Sequence, residues 1–223
     1  MSMHKSVQNL NLIKNKANEI VSRTQLKTNP EVIAISKTFK ADKILPLLEA
    51  GHIHYGENKI QETEDKWVDL KKKYKNIKLH LVGKLQSNKA KKAVMLFDYI
   101  HSLDNVKLAT KINQYEKQLK KKTKLFIQVN IGDESQKSGI LLKELNSFYD
   151  YCKKNLSLNI IGLMVLPPIN HDPDKYFKIL RDKSKELNLK DLSMGMSSDY
   201  EKALLFDSTF LRLGTAIFGN RDI

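Results

Sequence analysis

Short, mostly apolar runs recur along this chain at 32–36, 52–56, 78–83, 99–103, 124–130, 159–166, 191–195 and 210–214. Runs as short and continuous as Val32-Ile33-Ala34-Ile35 have the pattern of strands buried on both faces rather than of one-sided surface strands. Between the runs the apolar residues spread to helical spacing. Val106, Leu108, Ile112, Tyr115 and Leu119 keep broadly one face, as do Ile140, Leu141, Leu145, Phe148 and Tyr151. Strands alternating with helices predict parallel pairing through helical crossovers, and eight such strands predict an α/β fold of the closed (β/α)8 type, a TIM barrel. The eighth run leaves little chain for an eighth helix. The segment from about Ser6 to Leu26, helical in pattern, is expected to pack on the barrel there. No linker or low-complexity stretch interrupts the alternation, so one domain over residues 1–223 is the expectation.

In such a barrel the chemistry gathers at the carboxyl ends of the strands. Lys37 closes the first run, and Glu57 and Asn58 follow the second. Partial desolvation of an amine at that position lowers its pKa, and a neutral amine attacks an aldehyde to form a Schiff base. The competing reading is a lysine that reaches out to water, and with 35 lysines in the chain that reading needs an answer. The far end of the chain supplies one. Ser193-Met194-Gly195-Met196-Ser197 and Leu211-Arg212-Leu213-Gly214-Thr215 each pair a strand end with small residues whose backbone N–H groups stay open, the makings of a phosphate nest. Ser197 and Thr215 add hydroxyl donors. Arg212, inside an apolar strand, is expensive to bury without a partner. Amine, phosphate cup and arginine complement the aldehyde, phosphate and ring nitrogen of pyridoxal 5'-phosphate (PLP). Strands one and eight are neighbours in a closed barrel, which brings the three together.

Composition narrows the alternatives. Hydrophobic residues make up 41% of the 223, no run approaches the length of a membrane span, and the basic N-terminus has no apolar signal core. Cys152 is the single cysteine, which leaves no intrachain disulfide and no cysteine cluster for a metal. A cytoplasmic monomer is the expectation. The net charge of +14 attracts polyanions, yet it is spread along the chain, with small runs at Lys71–Lys73 and Lys120–Lys122 where helices end. Arginine is scarce and aromatics do not interleave with the lysines, so nucleic acid is not the expected partner. Four histidines offer a rival chemistry. His52 and His54 would share a strand face, with His80 and His101 on the next strands, and a barrel metal hydrolase uses such residues. No acidic ligand stands on the last strand, where Arg212 would repel a cation, and hydrogen-bonded core histidines are the favoured reading. Cys152 reads as a core thiol, and 133–139 as a polar loop that either lines the mouth or lies on the surface.

The segments Ala34-Ile35-Ser36-Lys37-Thr38, Gly56-Glu57-Asn58, His80 to Lys89, Gln128-Val129-Asn130, Gly162-Leu163-Met164, Leu192 to Ser197 and Arg212 to Gly219 resemble the pyridoxal phosphate homeostasis proteins over essentially the whole chain. The resemblance implies the barrel shared with the N-terminal domain of alanine racemases. It implies that Lys37 carries PLP as a Schiff base, that Ser197, Gly214 and Thr215 hold the phosphate, that Arg212 faces the pyridine nitrogen, and that Asn58 lies by the ring. Lys84 departs from relatives that have histidine there. The implied role is non-catalytic: holding PLP and delivering it to client PLP enzymes, in vitamin B6 and amino-acid balance. An arginine at the ring nitrogen weakens the ring as an electron sink. Racemisation also needs a second base, for which Tyr55 is the nearest candidate, but strand alternation turns it away from the site. A PLP enzyme with weak amino-acid racemase activity is the alternative, and turnover assays on holo-protein separate the two.

Overall fold

Eight parallel strands close on themselves in the computed structural model, which describes residues 3–24, 26, 29–132, 138–168 and 171–220. The ring is formed by β1 (Glu31–Ile35), β2 (His54–Glu57), β3 (Lys78–Leu81), β4 (Tyr99–Leu103), β5 (Lys124–Asn130), β7 (Ile160–Val165), β8 (Asp191–Ser193) and β9 (Phe210–Leu213). Each pairs with its neighbour in parallel, and β1 against β9 makes the closing seam, with Val32 opposite Leu211 and Ala34 opposite Leu213. These eight are the runs expected from the sequence, their ends shifted by at most two residues.

Strand alternation sorts the buried residues into two sets. Val32, Ala34, Tyr55, Leu79, Leu81 and Ile100 face outward into the layer beneath the helices. Ile33, Ile35, Tyr99, Phe126, Met164 and Phe210 fill a smaller, separate cluster. The outer layer is built by α1 (Lys5–Thr24), α2 (Ala41–Glu49), α3 (Ile60–Lys73), α4 (Ala90–Leu96), α5 (Val106–Leu119), α6 (Leu145–Asp150), α7 (Asp174–Glu186), α8 (Tyr200–Leu204) and α9 (Thr215–Phe218). In α1, Val7, Leu10, Ile13, Ala17 and Ile20 keep one buried stripe. That stripe lies against α9, α8 and α2, and Asn9 Nδ2 donates to the Ile217 carbonyl at 3.0 Å. The N-terminal helix thus covers the sector where α9 is a single turn.

Three local expectations are corrected. Ile140 and Leu141 do not begin a helix. They form a short strand, β6, hydrogen-bonded beside Val129 and Asn130, because the chain turns at Gly139 (φ +129°) and runs along the end of β5 beyond its pairing with β4. The helical face starts only at Leu145, and α6 passes into a wide turn over Tyr151–Asn155. Val106, counted on the buried face of α5, is exposed at the first helical position. Asn105 caps that helix, its Oδ1 accepting from the Leu108 N–H at 2.9 Å. His52 precedes β2 rather than sharing a face with His54; it is turned outward, edge-on to Tyr55 at 5.2 Å. Residues 133–137 of the polar loop lie outside the described residues.

Candidate functional site

The strand end that carries Lys37 is braced from below by a buried carboxylate. Ser36 N–H donates to the Gly56 carbonyl at 2.9 Å, and its hydroxyl donates to Glu57 Oε1 at 2.8 Å. Trp67 Nε1 donates to the same oxygen at 2.8 Å and Lys66 Nζ at 3.0 Å. Lys66 also reaches the Ser36 carbonyl at 2.8 Å and Glu62 Oε1 at 3.0 Å. Glu62 in turn accepts from the Thr38 N–H. Thr38 needs that support, since its φ of +68° is unfavourable for a threonine. Burial pushes the Glu57 pKa up, while the Lys66 charge and the three donors pull the other way. Lys37 itself is half-buried, at the rim.

Across the seam, Arg212 is 5% exposed and hydrogen-bonded through both terminal nitrogens. One guanidinium nitrogen donates to Ser193 Oγ at 2.8 Å and the other to the Val165 carbonyl at 2.9 Å. Burial lowers its pKa to about 10, with Asp199 opposing, so it stays charged at neutral pH. Beyond it the chain makes a cup. The N–H groups of Gly214 and Ala216 point at Ser197 Oγ from 3.3 and 3.2 Å. The loop that presents Ser197 turns at Gly195, where φ is +90° and a Cβ would come within 2.7 Å of Ala203 Cβ. Only glycine fits there. Asp199 Oδ1 then holds the Met196 N–H at 2.6 Å.

These pieces surround one cavity of about 380 Å³, lined by Ile35, Lys37, Asn58, Val82, Leu166, Met196, Ser197, Ser198, Arg212, Gly214 and Thr215. Its size falls in the roughly 300–1,000 Å³ range of small-molecule sites. All six residues selected from the sequence, Lys37, Asn58, Ser197, Arg212, Gly214 and Thr215, meet there. The chemistry of the set is that of a flat ligand with an anionic group: backbone N–H groups and hydroxyls at one end, an amine at the rim, a charged donor below, apolar walls from Ile35, Val82 and Leu166. A PLP molecule fits these donors. A second cavity of about 340 Å³ shares Asn58, Val82 and Leu166 and continues to Gly83, Lys84, Gln128, Asn130 and Ser138. At Gly83 a Cβ would strike the Asn58 carbonyl, so the absence of a side chain there sets the wall between the two.

Three of the histidines form a hydrogen-bonded row. His54, His80 and His101 hydrogen-bond to one another ring to ring, and among the described residues no cluster of His, Cys, Asp and Glu has the arrangement of a metal site. Sequence reading missed the roles of Glu57, Lys66, Trp67 and Ser193. A carboxylate closing an apolar strand, followed nine and ten residues later by Lys66 and Trp67 on one helix, was the available signal.

The comparisons assign this barrel to a known family. The family model described as alanine racemase, N-terminal domain, matches residues 8–222, and the chain belongs to that family. Within it, the chain sits among the pyridoxal phosphate homeostasis proteins. The protein so named from Escherichia coli is 33% identical over 232 residues, covering 99% of this chain and 98% of its own. That from Synechocystis is 34% identical over 199 residues, covering 85% and 91%. The structure of PipY from Synechococcus elongatus with PLP bound superimposes with a TM-score of 0.81 at 35% identity, over 92% of this chain and 100% of that one. The alanine racemase of Clostridium difficile, at 13% identity and a TM-score of 0.69 over 98% of this chain and 56% of that one, shares the fold.

Proposed function

We propose that this protein binds PLP at the barrel mouth as a Schiff base on Lys37 and serves as a carrier in intracellular vitamin B6 homeostasis rather than as an enzyme. The observation that carries the reading is the convergence of Lys37, Arg212 and the Ser197–Thr215 cup on one cavity. The names of the relatives and the PLP-bound PipY structure support it. Bound there, the cofactor supplies an electrophilic aldehyde carbon and a conjugated ring.

The residues do the rest. The Lys37 amine, once neutral, joins the aldehyde carbon with loss of water. Ser197, Thr215 and the N–H groups of Gly214 and Ala216 anchor the phosphate. Arg212 donates toward the ring nitrogen and, being charged, keeps a proton off it; an unprotonated ring stabilises a carbanion poorly. Asn58 borders the ring from the β2 side. Among the described lining residues there is no second acid–base group opposite Lys37. Tyr55 does not supply one: it is fully buried outside the barrel, with Trp67 at 4.8 Å. Client PLP enzymes are the partners this role calls for, and a single cysteine suits a reducing cytoplasm. Mixing the protein with PLP should produce a visible absorption band, and the holo-protein should turn over no amino acid from a broad panel at a useful rate. No band overturns the cofactor reading; brisk turnover replaces the carrier with an enzyme.

A further inference from the structure

A file of hydrogen-bonded side chains crosses the barrel from its amino-terminal face to Arg212. His54 Nε2 stands 3.6 Å from the carboxylate of exposed Glu31. His54 Nδ1 is 2.8 Å from His80 Nε2, and His80 Nδ1 is 2.9 Å from His101 Nε2. His101 Nδ1 is 2.8 Å from Ser193 Oγ, which receives Arg212 at 2.8 Å. Aromatic rings fix the planes: Tyr99 stacks on His80 at 4.2 Å and Phe126 on His101 at 4.3 Å.

One end of the file sets its direction. A guanidinium has donors and no acceptor, so Ser193 Oγ accepts from Arg212; among the described residues His101 Nδ1 is the acceptor within reach of its single hydrogen, and the hydrogen goes there. A neutral His101 then carries its proton on Nε2 and donates to His80 Nδ1. The same step repeats from His80 Nε2 to His54 Nδ1, and the last N–H, on His54 Nε2, faces the Glu31 carboxylate. The chain of donors therefore runs one way, from a cation to an anion. Burial keeps His80 and His101 neutral, well below the usual histidine range, with the Arg212 charge adding to the effect at His101. At His54 burial also lowers the pKa; Glu31 opposes it, while Lys78, Lys124 and Lys14 reinforce it. A proton added to any of the three rings would set two donors against each other at its Nδ1, because each Nδ1 already accepts.

We infer that Ser193, His101, His80 and His54 are positioning residues for the cofactor: by this one-way file they hold the Arg212 guanidinium where it meets the ring nitrogen. The positioning role rests on the PLP reading of the cavity, whereas the polarity of the file does not.

Histidine-selective nitrogen NMR, with assignments from single-histidine variants, tests it. In the ligand-free protein at neutral pH, His54, His80 and His101 should each show a protonated Nε2 and a bare Nδ1. Ser193→Ala removes the hydroxyl that transmits the direction and leaves Arg212 in place. It should give mixed tautomers at His80 and His54, which lie one and two links beyond His101; a packing role would leave those two unchanged. The same variant should bind PLP about tenfold more weakly, the effect of losing one charge-assisted hydrogen bond on the arginine. Mixed or charged imidazoles in the unmodified protein, or His80 and His54 unmoved by Ser193→Ala, would overturn the file. Correct tautomers with equal PLP affinity in both proteins would remove the positioning role. Correct tautomers in a protein that takes up no PLP would keep the file and sink the cofactor reading instead.

Discussion

Ile33 and Arg212 are register partners across the β1–β9 seam. That pairing aligns the exits of two strands separated by most of the chain. Lys37 leaves β1 four residues after Ile33, and Gly214 and Thr215 leave β9 two and three residues after Arg212, so the amine and the Gly214–Thr215 turn share one rim.

Replacing Lys37 with alanine should abolish the visible band formed with PLP and leave the far-UV spectrum and unfolding midpoint close to those of the parent, since a half-buried rim lysine adds little to core packing. Borohydride reduction of the parent and peptide mapping should place the pyridoxyl group on Lys37. A label on a different lysine in intact protein would refute the assignment.

The cup predicts vitamer selectivity. Hydrogen bonds to a charged group are each worth on the order of 1.5–3 kcal/mol, so pyridoxal without its phosphate should bind at least tenfold more weakly than PLP. Ser197→Ala should narrow that gap, because it removes a donor the unphosphorylated vitamer never used. Equal affinities measured by fluorescence titration would dismiss the cup.

Glu57→Leu should be strongly destabilising. It leaves the Lys66 ammonium, the Trp67 Nε1–H and the Ser36 hydroxyl without their shared acceptor, and breaking a buried ion pair on one side costs about 3–5 kcal/mol. Urea unfolding would show this, and the milder Glu57→Gln should recover part of the loss. A change below about 1 kcal/mol for Glu57→Leu would mean that the brace is not structural.

Acid should destabilise the fold before most carboxylates titrate. Burial lowers the folded-state pKa of His80 and His101 and takes that of His52 to about 3. In the unfolded chain these histidines bind protons near pH 6.5, at about the ordinary value. The unfolded state therefore gains protons first as pH falls. Stability should hold above pH of about 6.5 and then drop by up to about 1.4 kcal/mol per pH unit for each histidine kept neutral. Urea midpoints that stay level between neutral pH and about pH 5 would contradict this.

Much of this protein was readable along the chain. Eight apolar runs marked the strands because residues buried on both faces of a parallel sheet must be apolar, whatever their neighbours. The end of the first run marked Lys37 as a mouth residue, and the penalty for burying a guanidinium marked Arg212 as one with a partner. These signals are local, held in single residues and their positions within an element.

What only the tertiary structure decided depends on register between strands. Four histidines, His52, His54, His80 and His101, offered a possible metal set; the stagger of β2, β3 and β4 sets the last three ring to ring and leads the row to Ser193 on β8. The brace under Lys37 likewise joins β1, β2 and α3, and nothing local to Glu57 names its donors. Ile140 and Leu141 carry helical spacing, yet backbone groups on the flank of β5 draw them into a strand. Periodicity records which side of an element is buried; which atoms meet there is set by how the closed barrel aligns one strand against another.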